Sequence, residues 1–298
     1  MLFALWGGSL YRGTRDLDFT GYGSSESDAV IASVREICAV LVANDGLAYD
    51  IATVAAEPIR ETGEYNGLRV RLMATLAGAR IPMQIDIGFG NAVEPPPAEA
   101  DYPTLLDMPA PRIRAYPHEA VVAEKFHAMT VLGELNSRYK DFYDIHVLAS
   151  QFGLDGERLA HAIAATFDRR RTPIATMLPV ALTPRFYSDD RRAEQWRAYL
   201  TRNRLPSAAA DWGTAGELVR SFLEPPWLAL ALGLTFADTW PAGDLGRPTS
   251  RSRNQNEQHL SGKPSGVGNG RLTRRPSLAG GSRCAPGAGA PVQAVPGL

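Results

Sequence analysis

Arg15-Asp16-Leu17-Asp18-Phe19 is the stretch on which the reading of this chain turns. Polar and apolar residues alternate through it as in a strand buried on one side, so Leu17 and Phe19 turn inward and Asp16 and Asp18 share the opposite face. Positions i and i+2 of a strand lie about 6.5–7 Å apart along the backbone, so two carboxylates there can converge on one divalent cation. With 17 aspartates in 298 residues, about one Asp-x-Asp is expected by chance, and the pair alone is a weak sign. Before it, Gly7, Gly8 and Gly13 break the pattern of an apolar, helix-compatible opening, Met1 to Trp6. No cap precedes that opening, which reads as a helix whose beginning is missing.

Downstream, Ser24-Ser25-Glu26 offers an N-cap for a helix to about Asn44, with Val30, Val34, Ile37 and Leu41 as its apolar stripe. A hairpin follows. Leu68 to Leu72 alternates, Gly78 sits in the turn, and Ile81 to Phe89 places Ile85, Ile87 and Phe89 on one face and Gln84, Asp86 and Gly88 on the other. Asp86 therefore faces away from the core. A third carboxylate on a strand beside the Asp16/Asp18 strand allows a pair of cations, one activating an attacking hydroxyl and one steadying a leaving pyrophosphate.

Glu94-Pro95-Pro96-Pro97 to Pro111 reads as a connector. Beyond it the pattern is helical. Pro117 precedes a helix from His118 to Leu132 with Val122, Phe126 and Met129 turned inward, and a second helix runs from Arg138 to about Phe152. More helix is expected to about Ala237, broken at Pro173, Pro179, Pro184, Pro206 and Pro225. Lys125 lies at the edge of the first inward stripe, where surface exposure is the ordinary fate of a lysine. Asp141 and Asp144 share a face at i and i+3 of the second helix. A lysine beside phosphate oxygens stabilises the charge that builds up in phosphoryl transfer.

Composition narrows the class. At 45% hydrophobic and 21% charged, the chain has the make-up of a globular protein. Its most apolar run, Pro225 to Ala237, is shorter than the roughly 20 residues that span a bilayer, and no secretory leader pattern opens the sequence. A cytoplasmic protein without a membrane partner is expected. Cys38 and Cys284 have no metal-ligand spacing. Residues 1–168 carry 13 Lys/Arg against 23 Asp/Glu, whereas 169–204 carry nine Arg against three acids. An acidic half able to gather cations thus precedes an arginine-rich stretch, which is either a polyanion surface or a solvated helical face. From Pro241 onward the Gly/Pro/Ser/Arg-rich sequence has too few large apolar residues to offset the entropy of ordering, and a disordered tail is expected.

Four runs in order, Arg12 to Phe19, Gln84 to Gly90, Ala115 to Lys125 and Asn136 to Asp144, resemble the AbiEii toxin family of nucleotidyltransferases over about residues 1–235. The resemblance implies an α+β chain: a mixed-sheet nucleotidyltransferase lobe over 1–93, a connector over 94–116 and an all-helical lobe over 117–240, with the tail over 241–298. It implies Mg²⁺ as cofactor and an NTP as co-substrate, and a toxin role in a type IV toxin–antitoxin pair linked to phage defence, with a cognate antitoxin. It also implies nucleotide transfer to an RNA acceptor, the acceptor end of tRNA. In this mapping Asp16, Asp18 and Asp86 are metal carboxylates, Lys125 is the phosphate-side lysine and Asp141 the acidic residue of the helical lobe. Arg15, Lys140 and Asp144 fall in the nucleotide-binding positions. The family's glycine element before Asp-x-Asp has no match here, since Gly7-Gly8 lies too close to Asp16, and it would fall upstream of Met1. A catalytically degenerate relative that binds nucleotide, RNA or a partner protein is therefore the second reading. A metal-dependent glycosyltransferase is disfavoured, because 15 residues before Asp16 cannot supply the nucleotide-binding βαβ unit that such enzymes need.

Overall fold

The backbone of β1, Leu17–Gly21, lies parallel to that of β4, Ala79–Phe89, and the sheet is arranged around this pairing. In the computed structural model the described residues are 2–7, 17–42, 45–59, 67–90, 93–104, 106–206, 211–242 and 295–297. Asp16 and Arg15 lie outside them, as does the expected tail apart from Pro241, Ala242 and a short strand, Val295–Gly297. Between β1 and β4 the chain runs through α2 (Ser27–Cys38), β2 (Leu47–Ile59) and β3 (Gly67–Leu76). The order across the sheet is β2-β3-β4-β1, with Val295–Gly297 antiparallel on the outer edge of β1.

The β3–β4 hairpin forms where the alternation predicts it. Leu76 pairs with Ala79, so the turn is the two residues Ala77 and Gly78, both at positive φ (48° and 84°). That backbone matches the twist of the flanking strands, and Gly78 adopts it without steric cost. Val30 and Val34 of α2 pack on Val54, Leu68, Val70, Leu72 and Ile87, so one face of the sheet is a small hydrophobic core. The α2 helix is shorter than its expected span. It ends at Cys38, and Leu41, expected in the inward stripe, is 98% exposed. Val30 and Val34 already cover the sheet, so further turns would have had no apolar surface to bury.

The connector region holds a two-stranded hairpin, β5 (Ala98–Asp101) with β6 (Arg112–Ala115). The second, larger core is helical. It is built by α3 (His118–Leu132), α4 (Tyr139–Gln151), α5 (Gly156–Arg169), α6 (Pro184–Tyr187), α7 (Asp190–Arg202) and α8 (Trp212–Ala231). A two-stranded pairing of β7 (Leu154–Asp155) with β8 (Thr239–Trp240) closes it. The opening helix α1, Leu2–Gly7, packs into this core too: Trp6 lies tilted against His118, ring centroids 4.1 Å apart, and meets Phe152 edge-on. Pro225 does not break the chain as its residue type predicts. Pro225 and Pro226 lie inside α8, where Phe222, Leu223 and Trp227 are buried on both sides of them. That burial offsets the roughly 3 kcal/mol that an interior proline costs a helix.

Gly216 of α8 faces the Tyr187 ring so closely that any Cβ there would overlap it. In an exposed helix Gly→Ala stabilises by about 1 kcal/mol. Here Gly216→Ala is expected to destabilise by about 1–3 kcal/mol through overpacking, read as a lower urea midpoint at unchanged m-value.

Candidate active site

The face of the sheet opposite α2 is charged. Asp18 is in register with Asp86, Asp86 with Arg69, and Arg69 with Glu57, so one row across four strands reads Glu57, Arg69, Asp86, Asp18. Neighbouring strands lie about 4.8 Å apart, so the Asp18 and Asp86 backbones are at that spacing with their side chains on one face. Arg69 grips Asp86 with a two-point fork, Nε to Oδ1 at 2.8 Å and Nη2 to Oδ2 at 2.7 Å. Gln84 Nε2 adds a third donor to Oδ1 at 3.3 Å. Next to this row, Arg71 Nη1 pairs with Glu57 Oε1 at 2.6 Å. Asp86 thus faces away from the core as its alternation predicts. Arg69 was missed by sequence reasoning, although it was within reach: it precedes Leu76 by as many residues as Asp86 follows Ala79.

The helical lobe carries the second cluster. Ten of the fifteen residues of α3 are buried, and Lys125 is among them at 5% exposure. It is not a surface lysine. Its Nζ donates to Asp141 Oδ1 at 3.0 Å and lies 2.9 Å from Asp144 Oδ2, both aspartates being fully buried. The i,i+3 spacing on α4 is what lets both carboxylates reach one ammonium. Arg138 Nε lies 2.8 Å from Asp141 Oδ2 as an ion pair, off the line of a hydrogen bond. A buried lysine facing two carboxylates is tolerated only because the charges are mutually paired. Lys140 is exposed at the start of α4.

The turn that presents Arg138 and Asp141 is clamped from α7. Arg192 Nη1 donates to the Asn136 carbonyl at 2.8 Å and Nη2 to the Glu134 carbonyl at 2.5 Å, with the guanidinium 3.9 Å over the Phe186 ring. Asn136 Oδ1 in turn accepts from the Arg138 backbone N–H at 2.9 Å. Several arginines of the basic stretch are therefore structural. Arg192 holds this turn, and Arg170 Nη2 reaches Glu124 at 3.4 Å while its Nη1 lies 3.2 Å from His127 Nδ1.

Thr20 and Arg169 each make a contact between the sheet and the helical core. Thr20, buried two residues beyond Asp18 and on the same face of β1, hydrogen-bonds the Tyr116 hydroxyl just before α3. Arg169 Nε, at the end of α5, donates to the Gly90 carbonyl just beyond β4. Gly90 has φ +72°, and a Cβ there would strike the Arg169 guanidinium. From the Asp86 strand the contacts therefore run through Gly90 to Arg169, whose neighbour Arg170 pairs with Glu124, adjacent to Lys125.

Burial pushes the pKa of His127 down to about 4, helped by the positive charge of Arg170, and burial with Arg158 does the same to His118. Among the described residues no three His, Cys, Asp or Glu side chains cluster closely enough to hold a metal ion. Asp16, the second carboxylate of the expected pair, lies outside those residues. Asp18 offers the hard oxygen donor type that Mg²⁺ prefers. Asp86 offers the same donor type with both oxygens already on Arg69.

The fold is thus a mixed sheet with carboxylates on its open face, followed by a helical core that carries a buried lysine and two buried aspartates, and the family match assigns it to the nucleotidyltransferases. Residues 1–217 match the family model described as "Nucleotidyl transferase AbiEii toxin, Type IV TA system". The chain belongs to the AbiEii family of type IV toxin–antitoxin toxins. No curated protein matches it. Among solved structures, it is similar to a Helicobacter pylori protein described as a candidate nucleotidyltransferase, at 15% identity, TM-score 0.40, over 76% of this chain and 86% of that one. It is similar as well to JHP933 of Helicobacter pylori, at 14% identity, TM-score 0.44, over 78% and 86%. No helix among the described residues is long and apolar enough to cross a membrane.

Two outcomes follow from the buried charges. Lys125→Met removes the ammonium that Asp141 and Asp144 share and is expected to cost about 3–5 kcal/mol in urea unfolding, most of it recovered when both are changed to Asn. His118 and His127 titrate near 4 when folded, against 6.5 for the unconstrained side chain. Their contribution to stability is whole above pH 6.5 and is lost as pH falls towards 4, because the unfolded chain binds those protons first. The urea midpoint is expected to drop across that window, and His127→Asn to flatten the drop.

Proposed function

We propose that the chain transfers a nucleoside monophosphate from an NTP to an RNA acceptor, the acceptor end of tRNA, in the cytoplasm, as a toxin paired with a cognate antitoxin. The observation that carries the reading is the register pairing of Asp18 with Asp86 on the open face of the sheet, with Thr20 of the same strand bonded to the threshold of the helical lobe. Asp18, with Asp16 two positions before it, would hold Mg²⁺. When bound, that ion activates the acceptor hydroxyl and neutralises the pyrophosphate that leaves.

The protein's own residues do the rest. Asp18 fixes the reacting end of the nucleotide on the sheet, and the pairing with β4 holds the strand in place beneath it. Lys125, held by Asp141 and Asp144, is the phosphate-side lysine of this reading, and Asp141 in turn orients Arg138, whose guanidinium is the partly exposed positive charge at the mouth of α4. Lys140, exposed beside them, and Arg15 are proposed to meet the triphosphate, where fixed cations stabilise developing charge. Asp144 serves through the lysine it holds.

A second reading has its own support. Lys125 is sealed between two carboxylates and Asp86 is taken by a guanidinium, as suits a relative that binds nucleotide or RNA without turnover.

Incubating the purified chain with each labelled NTP, Mg²⁺ and total RNA separates the two. Labelled RNA is expected with the wild-type chain, and Asp18→Ala is expected to lower the rate by about a thousandfold or more, the scale of a lost charge-stabilising group. Labelling by Asp18→Ala at the wild-type rate would exclude the proposed site. RNA retention without labelling by the wild-type chain would support the binding protein.

A further inference from the structure

His127 is buried on α3, and both of its ring nitrogens meet the turn that ends α5. Nδ1 lies 3.2 Å from Arg170 Nη1. A guanidinium has donors and no acceptor, so Nδ1 has to be the accepting, unprotonated nitrogen. The ring proton then sits on Nε2, which donates to Thr172 Oγ1 at 2.8 Å. Thr172 Oγ1 donates in turn to the Arg170 carbonyl at 3.3 Å. The donors therefore run in one direction round a closed ring, which leaves Arg170 by its side chain and returns to it through its backbone. Arg170 Nη2 also reaches Glu124 Oε2, three residues before His127 on the same face of α3. Phe167 of α5 meets the imidazole edge-on.

The backbone that this ring encloses is in a conformation its residues disfavour. Arg171, between Arg170 and Thr172, has φ +50°. The Thr172 N–H reaches the Phe167 carbonyl at 2.8 Å and the Arg171 N–H the Asp168 carbonyl at 2.9 Å, the bonding pattern of a helix end that ordinarily places glycine at the left-handed position. An arginine there carries a Cβ that opposes this backbone, and His127 supplies support from outside the helix. Just before the ring stands Arg169, whose Nε donates to the Gly90 carbonyl beyond β4.

We infer that His127 is a positioning residue: held as the neutral Nε2–H tautomer, it closes the ring that fixes the turn from Arg169 to Thr172, and so ties the helix carrying Lys125 to the clasp on the end of the Asp86 strand. A neutral ring agrees with the depressed pKa of this histidine. The tie holds whatever group the chain transfers, since none of its members is placed on a reacting atom.

Long-range ¹H–¹⁵N spectra of the full chain, labelled at histidine and assigned with His127→Phe or His127→Asn, read the tautomer at neutral pH. Nε2–H is expected; an Nδ1–H ring, a charged ring or a mixture of tautomers would overturn the inference. Trypsin reads the hold on the turn, because cleavage after Arg169, Arg170 or Arg171 follows the population in which the turn is open. Thr172→Val, at a half-buried position, breaks the ring at its hydroxyl, and His127→Phe breaks it at the imidazole while keeping an aromatic ring beside Phe167. Each is expected to raise cleavage in this run about five- to tenfold, the scale of one or two lost hydrogen bonds, with cleavage at other lysines and arginines of the same digest unchanged. The double variant is expected to exceed the more severe single one by less than about twofold, because both break one ring. Wild-type cleavage in Thr172→Val, a rise shared equally by the other sites, or effects that multiply in the double variant would each show that no such ring holds the turn. Circular dichroism verifies the fold of the variants, and the wild-type spectrum with Thr172→Val decides the matter even if His127→Phe does not fold.

Discussion

The parallel pairing of β1 with β4 is the constraint on which the rest depends. A parallel neighbour cannot be reached by a tight turn, so the chain has to leave the sheet after Gly21 and return. It does so through α2 and the β2–β3 strands, and that excursion supplies both the helix that covers one face and the strand that carries Arg69. Gly21 ends this pairing where there is no room for a side chain. A Cβ there would press on Phe89 and Ile87, so the absence of a side chain lets the strand end lie close against its neighbour. With one face committed to Val30 and Val34, every charged residue of the ladder is sent to the other. The acidic site is a by-product of burying the apolar one.

The helical lobe answers with charges of its own, placed where charges are costly. Lys125, Asp141 and Asp144 are buried to a degree at which none would be stable alone, so each fixes the others. Around them the polar contacts are second in line: Arg192 holds the turn, Asn136 holds Arg138, and Arg138 faces Asp141. Such nested support keeps rotamers from wandering, which positions charge more sharply than surface ion pairs do.

Much of this was legible in the sequence, and what was not had physical causes. Period-two alternation located the strands around Asp18 and Asp86 and the side of β4 on which Asp86 stands, and the helical period located α3 and α4 almost to the residue. The end of α2 was not legible, because Ile37 and Leu41 continue the apolar spacing after the sheet beneath has run out. Nor was the continuity of α8, since proline's local cost says nothing of the tryptophan packing that offsets it. Lys125 could not be told from a surface lysine by its neighbours, because its two partners lie 16 and more residues away on another helix. Register is where the sequence held more than alternation reveals: once the two-residue turn at Ala77-Gly78 is accepted, counting outward gives the Arg69–Asp86 pair.

The seat of α1 has a consequence for how the molecule is made. Trp6 rests on His118 and Phe152, side chains that leave the ribosome roughly a hundred or more residues after it. Until they emerge, the apolar segment Leu2–Gly7 has no native surface to cover, and contacts of such long sequence separation are slow to form. The α1 helix is thus among the late elements to find its place, and during that interval Leu2, Phe3 and Trp6 are a natural target for a chaperone that grips short apolar segments.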